Sequence, residues 1–257
     1  MIGSGNVGWH LGHRMQSCGV EILQVYSRQL PKAQKLGKAL GVEYTSDLAK
    51  VNQGAEIYLL AVHDDAILDV ANQLQNAGLK GKLLAHTSGA TPLTVFNQLP
   101  SSANRSGVFW PLQTFTLDRI PDFTKIPVCI DANEKTGLAQ LGKLAKIVSS
   151  NVHCVNDEQR AALHLAAVFV NNFTNHLFHL GKSILAEKQL PFELLLPLIQ
   201  ETVDKIYSND PGNLQTGPAI RGDEATISRH RQILASYPGL EKVYSAITES
   251  IQHSYKK

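Results

Sequence analysis

The sequence predicts an α/β fold in which a doubly wound, mostly parallel sheet is followed by an all-α region. In residues 1–155, short apolar runs alternate with helical patterns of about 10 to 15 residues, which is typical of βαβ units. After residue 156, strand signals almost disappear and long helical patterns take over. We therefore expect two domains, residues 1–155 and 156–257, in line with about 150 residues per domain.

The first domain shows its elements in regular order. Strands are expected at residues 20–26, 42–44, 56–62, 83–86, 107–110, 127–130 and 152–155, and helices after residue 8, at 32–40, before Gly78 and at 135–149. Only Met1 and Ile2 precede the first glycine, although the first strand of such a sheet is central and about five residues long. We therefore expect a visibly short first strand, or a natural chain that starts several residues upstream.

The second domain reads as helices alone. One long helix is expected over residues 157–187, and others over 191–207, 223–236 and 240–255. The glycines and the proline of residues 215–223 indicate a loop that leads into the third of these helices.

Composition and charge exclude several classes of protein. Hydrophobic residues make up 43% and charged residues 18% of the chain, as in folded soluble proteins. No apolar run approaches the roughly 18 to 20 residues of a membrane span, and the first residues lack the pattern of a signal peptide. The three cysteines form no CxxC pair, which favours a reducing cytoplasm and gives no sign of a metal site. A net charge of +2 without a dense basic face argues against nucleic acid and membrane-surface partners.

A glycine-rich turn at residues 3–8 has the GxGxxG spacing of dinucleotide-binding sites. In such turns the first glycine permits the tight bend, the second lets the backbone approach a pyrophosphate, and the third lets the helix pack on the strand. The pyrophosphate then meets free N–H groups at the positive end of the helix. Because a helix pattern and a further strand follow, we favour a Rossmann-type site over a ligand-free turn, formed by Gly3, Ser4, Gly5, Asn6, Val7 and Gly8.

The end of the next strand predicts which dinucleotide binds. Sites that prefer NAD place a carboxylate there, which accepts a hydrogen bond from the ribose 2′-hydroxyl. This chain has Ser27 and Arg28 instead, and a guanidinium pairs well with a 2′-phosphate. Lys32 and Lys35 are close enough along the chain to add positive charge. We predict NADP rather than NAD, with a solvated surface role for Arg28 as the alternative.

Polar clusters directly follow three later strands, at residues 62–65, 86–89 and 111–114. Ligands of open α/β sheets bind outside the carboxyl ends of the strands, so these clusters are candidates to line a pocket. Asp64, Ser88 and Thr114 are also residue types that cap helices well. Both roles are compatible, because a cap beside a nicotinamide still lines the pocket.

The chain resembles a known superfamily at four features: the turn at residues 3–8, Ser27–Arg28, Ala61–Val62 with Asp64, and the all-α second half. They resemble the 6-phosphogluconate dehydrogenase-like superfamily, which includes β-hydroxyacid dehydrogenases, pyrroline-5-carboxylate reductases and deazaflavin-dependent NADP reductases. More narrowly, residues 86–89, 111–115, 164–175 and 215–223 resemble a bacterial family of Rossmann-like oxidoreductases with a C-terminal domain of unknown function. The resemblance covers essentially the whole chain. It implies the Rossmann fold and a nicotinamide cofactor held also by Ala61, Val62 and Asp64.

One departure from that pattern concerns catalysis. In β-hydroxyacid dehydrogenases the first long helix after the Rossmann domain carries a lysine general acid and an asparagine four residues later. Aligned on Asn172, the lysine position falls on Val168, which cannot transfer a proton. One turn earlier lies His164, and histidine can act as acid or base near neutral pH. We predict His164 as the acid/base, with a satisfied core histidine as the alternative; the groups predicted to orient the substrate are Asn171, Asn172, Asn175, Ser88 and Gln113.

These observations predict an NADP-dependent oxidoreductase that transfers hydride to or from a small carboxylate-bearing substrate with a C=O or C=N bond. Gln113, Thr114 and Arg221 are the candidate substrate residues, because a guanidinium can clamp a carboxylate through two hydrogen bonds. A non-catalytic nucleotide-binding or sensing protein is the alternative, as is a synthase or isomerase that uses the cofactor structurally. The superfamily often dimerises through its helical domain, so we expect a homodimer.

Overall fold

The computed structural model describes residues 1–99 and 104–255 of the chain. It forms two compact units, Met1–Val168 and Phe169–Lys257. The boundary therefore falls inside the helical run that starts after the last strand, rather than at the change of sequence character near residue 156.

A single sheet organises the first unit. Its strands are β1 (Gln24–Tyr26), β2 (Glu43–Thr45), β3 (Ile57–Leu60), β4 (Leu83–His86), β5 (Arg105–Pro111), β6 (Val128–Ala132) and β7 (Val152–Cys154). The order is β3-β4-β5-β6-β7, and β1 pairs with β2. Among the described strands, every pair is parallel except β5 with β6. The predicted mostly parallel sheet is confirmed.

The first strand is reduced to one residue. Ile2 forms parallel bridges to Tyr26 of β1 and to Leu60 of β3, so it joins the two parts of the sheet. Its N–H donates to the Leu59 carbonyl at 2.8 Å, and its carbonyl accepts from Ala61 N–H at 2.7 Å. Of the predicted strand at 20–26, only the last three residues enter the ladder, where they pair with β2.

Helices cover both faces of the sheet. They are α1 (Asn6–Ser17), α2 (Leu30–Leu40), α3 (Ile67–Asn76) and α4 (Lys135–Val148). Successive side chains of a strand point to opposite faces. Accordingly Leu59 packs in one core cluster with α1 and α4, whereas Tyr58 and Leu60 pack in another with α3. This two-sided burial explains why the strands read as continuous apolar runs.

The described residues after β7 form helices joined by turns, with no strand among them. The elements are α5 (Asp157–Ala167), α6 (Thr174–Glu187), α7 (Leu196–Ile206), α8 (Pro218–Arg221), α9 (Glu224–Leu234) and α10 (Pro238–Ser254). Helix α5 belongs to the first compact unit. None of the described helices is long and apolar enough to cross a membrane.

Two expectations about this region are refined. The predicted long helix over residues 157–187 is one continuous helical run, whose middle, Val168–Phe173, is a π-helix. The Thr174 hydroxyl donates to the Phe169 carbonyl five residues earlier, which fits the wider π-helical turn. The predicted loop at 215–223 contains the short helix α8, because Pro218 supplies a φ that suits a first helical turn. Asp223 caps α9 through its bond from Thr226 N–H.

Candidate functional site

The three glycines of the turn at residues 3–8 differ in what a side chain at their position would meet. Gly3 has φ +112°, and a Cβ there would lie 2.1 Å from the Ala61 carbonyl oxygen. A Cβ on Gly8 would lie 2.3 Å from the carbonyl oxygen of Gly3. A Cβ on Gly5 would meet no atom of the described residues within 4 Å. The fold itself therefore requires Gly3 and Gly8, whereas Gly5 faces open space.

The turn presents donors toward that space. Helix α1 begins at Asn6, and its N-cap Gly5 has no side chain to accept from the first-turn N–H groups. The first turn carries no acidic residue, so the positive end of the helix is not offset locally. The Ser4 Oγ atom is buried without a hydrogen-bond partner among the described residues. Free N–H groups and an orphaned hydroxyl are the partners that a pyrophosphate needs, so the residues present fit a dinucleotide.

Asn6 has a second role, which the sequence did not reveal. Its Nδ2 atom donates to the Phe115 carbonyl at 2.8 Å, in the loop that follows β5. The amide side chain is thereby used inside the protein. Only the backbone of Asn6 remains for the cradle.

The polar and basic residues that follow β1 differ in their exposure and in their contacts. Ser27 is half-buried, and its N–H donates to the Thr45 carbonyl at 3.1 Å. Arg28 is exposed and forms no ion pair with any residue that the structure describes. The Lys35 ammonium lies 5.2 Å from the centroid of the Trp9 ring, a cation–π contact. Arg28 is therefore the better placed of the two cations to pair with a phosphate.

The ends of β3 and β5 carry partly exposed candidates. Ala61 and Val62 are half-buried, and Asp64 is exposed at the first position of the 3-10 helix Asp64–Ala66. In the loop after β5, Gln113 and Thr114 are exposed, and the Gln113 side-chain oxygen accepts from Thr114 N–H at 2.8 Å.

The end of β4 is buried and tightly bonded. The Ser88 hydroxyl oxygen accepts from the N–H groups of Ala90 and Thr91 at 3.1 and 2.9 Å, which closes a turn. Ser88 N–H donates to Nδ1 of the fully buried His86 at 3.2 Å. Burial, and then the nearby charge of Arg160, lower the pKa of His86 to about 4. His86 is thus a neutral acceptor at physiological pH.

His164 lies beside this strand end, although it is remote in sequence. A Cβ on Gly89 would lie 2.9 Å from His164 Cδ2 and 2.6 Å from ring atoms of Trp110. The His164 and Trp110 ring centroids are 6.0 Å apart. The structure therefore brings the half-buried His164 together with the carboxyl ends of β4 and β5.

Arg160 was missed by sequence reasoning. Its side chain is 1% exposed, and one terminal nitrogen donates to the Thr91 carbonyl at 2.8 Å and to Asp157 at 2.5 Å. Asp157 also accepts from Leu93 N–H at 2.7 Å. Burial raises the pKa of Asp157, but the bonds from Leu93 and Arg160 outweigh it and hold that pKa below its usual value. The Arg160–Asp157 ion pair thus fastens α5 to the loop after β4. Its only signal in the sequence is that two opposite charges stand three residues apart in the helix that follows Asn156.

The remaining candidates belong to the second unit. Asn171, Asn172, Asn175 and Arg221 are all exposed there. The prediction that His164, one turn before Val168, acts together with these asparagines assumed an unbroken α-helical period. Because the π-helix Val168–Phe173 breaks that period, the spacing no longer predicts that His164 and Asn175 share a face.

Comparisons with known proteins identify the family. Residues 1–88 match the model of the coenzyme F420-dependent NADP oxidoreductase family, and residues 126–251 match a domain of unknown function, DUF2520. A crystal structure from Bacteroides fragilis, named "putative NADP oxidoreductase", is 38% identical, with 98% of this chain and 96% of that chain covered and a TM-score of 0.90. The chain belongs to this family of NADP oxidoreductases.

More distant structures share the fold of this NADP oxidoreductase family member. A protein from Thermotoga maritima is 23% identical, with 100% and 98% of the two chains covered and a TM-score of 0.80. An imine reductase from Myxococcus stipitatus in complex with NADP+ is 16% identical, with 98% and 92% covered and a TM-score of 0.68. No curated protein matches the chain. The predicted resemblance and the Rossmann fold are confirmed, and so is the NADP class of cofactor for the family.

Proposed function

We propose that this chain binds NADP at the turn of residues 3–8 and reduces, or forms, a C=O or C=N bond in a small carboxylate-bearing substrate. The observation that carries the proposal is the cradle formed by residues 3–8, where the first-turn N–H groups of α1 have no cap, Gly5 borders open space and the buried Ser4 hydroxyl has no partner among the described residues. When bound, the nicotinamide supplies or accepts the hydride.

The cofactor is held from three strand ends. Arg28, exposed and without an ion pair among the described residues, pairs with the 2′-phosphate, and Ser27 lies beside it. Ala61 and Val62 flank the turn at the end of β3, since the Ala61 carbonyl is in contact distance of Gly3. Asp64 lines the same edge from its exposed position.

His164 holds and moves the proton. Its proximity to Gly89 and Trp110, which follow or end β4 and β5, supports this role, because ligands of α/β proteins bind at that edge of the sheet. Ser88 accepts two backbone hydrogen bonds, which leaves its hydroxyl proton for a substrate oxygen. Gln113 and Thr114 contribute from the loop after β5. Substrate orientation by Asn171, Asn172 and Asn175, and a carboxylate clamp by Arg221, stay predictions for the second unit.

The cofactor assignment is tested by calorimetric titration with NADPH and NADH. A charge-assisted hydrogen bond contributes about 1.5 to 3 kcal/mol, so Arg28→Asp is expected to weaken NADPH binding by about 10- to 100-fold and to leave NADH binding nearly unchanged. Lys80→Asp is the matched control, because exposed Lys80 precedes β4 at the opposite edge of the sheet. An unchanged NADPH/NADH affinity ratio in Arg28→Asp contradicts the assignment.

The reaction is tested by following NADPH oxidation with a panel of 2-keto acids, with and without ammonia, and of cyclic imino acids. His164→Gln keeps a hydrogen-bonding side chain but cannot transfer a proton in this way, and is expected to lower turnover by about 10²- to 10⁴-fold. A loss of less than tenfold removes His164 from the mechanism. NADPH binding without turnover of any compound favours a non-catalytic binding protein.

The second unit supplies the surface for a homodimer. Large apolar side chains of α6 and α7 are exposed, among them Leu177, Ile184, Leu198 and Ile206, the last two at 65% and 50%. Such a surface is unfavourable in water and is typical of an interface. The solution mass is expected to be twice that of the chain, with Leu198→Glu shifting it toward the monomer. A wild-type monomer at micromolar concentration contradicts this.

The free Cys18, Cys129 and Cys154 are consistent with the cytoplasm as the place of action.

A further inference from the structure

Two side chains of α1 fasten the loop that follows β5, residues 112–118. Asn6 Nδ2 donates to the Phe115 carbonyl, and His10 Nε2 lies at hydrogen-bond distance from the Thr116 carbonyl, both at 2.8 Å. A carbonyl oxygen can only accept, so His10 carries a hydrogen on Nε2. The bonded residues are 109 and 106 positions apart in the sequence. The loop is therefore tied to the helix at two consecutive carbonyls.

Aromatic packing holds the same contact. His10 is 5% exposed, and its ring stacks on Phe115 with centroids 5.5 Å apart. Phe115 in turn stacks on Phe123 at 5.7 Å, and both phenylalanines are buried in the core cluster that includes Leu11 and Met15 of α1. The His10 ring thus has little freedom to leave the Thr116 carbonyl.

This loop and this helix carry different parts of the proposed site. The first turn of α1 forms the cradle over Gly5, and the exposed tip of the loop carries Gln113 and Thr114. His10 touches neither the cradle nor the tip, but it connects the helix of the one to the loop of the other.

We propose that His10 is a positioning residue that holds loop 112–118 on the dinucleotide-binding helix. The cradle and the substrate-facing side chains then move as one piece. The role given to Gln113 and Thr114 rests on the proposed function. The fastening itself rests only on the contacts of His10.

The test compares His10→Leu with His10→Gln by amide hydrogen exchange of the full chain without ligand. Leucine fills the space but has no donor, whereas a glutamine amide can reach the carbonyl. We expect exchange within residues 112–118 to be about tenfold faster in His10→Leu, with α3, which packs in the other core cluster, unchanged as the internal control. In His10→Gln we expect the rate to return to within about threefold of wild type.

Three results overturn the proposal: wild-type exchange of the loop in His10→Leu, equal acceleration in the loop and in α3, or no rescue by glutamine. If His10→Leu does not fold, His10→Phe keeps an aromatic ring against Phe115 but has no donor for the Thr116 carbonyl. It is expected to accelerate the same loop, and unchanged exchange there contradicts the proposal.

A further comparison separates this inference from the proposed function. NADPH is expected to slow exchange in loop 112–118 of the wild type but not of His10→Leu, while its dissociation constant changes less than threefold. Wild type that binds no NADPH contradicts the proposed function and leaves the ligand-free comparison valid. Protection of the loop that persists in His10→Leu contradicts the positioning role alone.

Discussion

Replacing Gly5 with alanine is expected to weaken NADPH binding strongly while leaving the fold intact or slightly more stable. Gly5 has φ −71° and ψ −173°, which alanine adopts without strain. A Cβ there meets no described atom within 4 Å. Because the substitution restricts the unfolded chain, it should stabilise the protein by about 0.4 to 1 kcal/mol. The melting temperature should then rise by about 1 to 4 °C for a chain of this size.

The same methyl group occupies space that the pyrophosphate needs. Forcing an extra carbon into a packed contact costs about 1 to 3 kcal/mol, which corresponds to a dissociation constant about 5 to 150 times larger. At an NADPH concentration 100 times the wild-type dissociation constant, the ligand stabilises the wild type by about 2.7 kcal/mol. A 100-fold loss of affinity reduces that ligand stabilisation to about 0.4 kcal/mol.

The assay is thermal unfolding with and without NADPH, backed by calorimetric titration. Gly142→Ala in α4 is the control, because its Cβ would lie at an ordinary 3.7 Å from Cδ1 of Ile130 in β6. It should raise stability and keep the full NADPH shift. Gly8→Ala should instead destabilise the apoprotein, since its Cβ would lie 2.3 Å from the Gly3 carbonyl oxygen. The reasoning is refuted if Gly5→Ala binds NADPH as tightly as wild type, or destabilises the fold as Gly8→Ala does.

Three further predictions concern the end of β4. Gly89→Ala adds a Cβ 2.9 Å from His164 Cδ2, so turnover should fall at least about tenfold with NADPH affinity unchanged; equal losses of both would contradict this. Asp157→Asn leaves the buried Arg160 charge uncompensated and should cost about 3 to 5 kcal/mol in urea unfolding; a loss below about 1 kcal/mol would count against the pair. The pKa of His86 is about 4 in the folded protein and 6.5 in the unfolded chain, so the unfolded chain binds a proton at a higher pH. Acid therefore favours unfolding, and up to about 3 kcal/mol of the free energy of unfolding should be lost as the pH falls from 6.5 to 4. His86→Phe should remove that part of the pH dependence, and an unchanged slope would show that His86 does not cause it.

Features with local causes were predicted well from the sequence. Strand β4 spans the predicted 83–86, and α4 ends one residue from its predicted end, because apolar runs and helix periodicity act within a few residues. The glycine turn is similar, since tight backbone geometry at Gly3 and Gly8 involves the adjacent strand ends. The backbone geometry of this turn could therefore be predicted from the sequence alone, and the cofactor contacts stay predictions.

Features with distant causes were not predicted. His10 looks like any polar residue on a helix until its bond to Thr116, 106 positions away, is seen. Arg160 is buried and donates a hydrogen bond to the Thr91 carbonyl. Because charged residues are almost always exposed, the sequence pattern does not predict that this arginine is buried. Neither contact leaves a spacing in the sequence, because the partner in each case is a backbone carbonyl that any residue would offer.

The missing lysine and the π-helix bear on the same question of where the proton-transfer group lies. Val168 is both the position aligned with the lysine of β-hydroxyacid dehydrogenases and the first residue of the π-helix Val168–Phe173. In an α-helix, residues four apart lie about 40° from each other around the axis, but the wider π-helical turn changes that angle. A lysine restored at Val168 would therefore not reproduce its usual relation to Asn172. His164 precedes the interruption, in regular α5, where its contact with Gly89 fixes it against the sheet. Val168→Lys in a His164→Gln background should accordingly fail to restore NADPH-dependent turnover, and recovery to within tenfold of wild type would show that the older arrangement is still available.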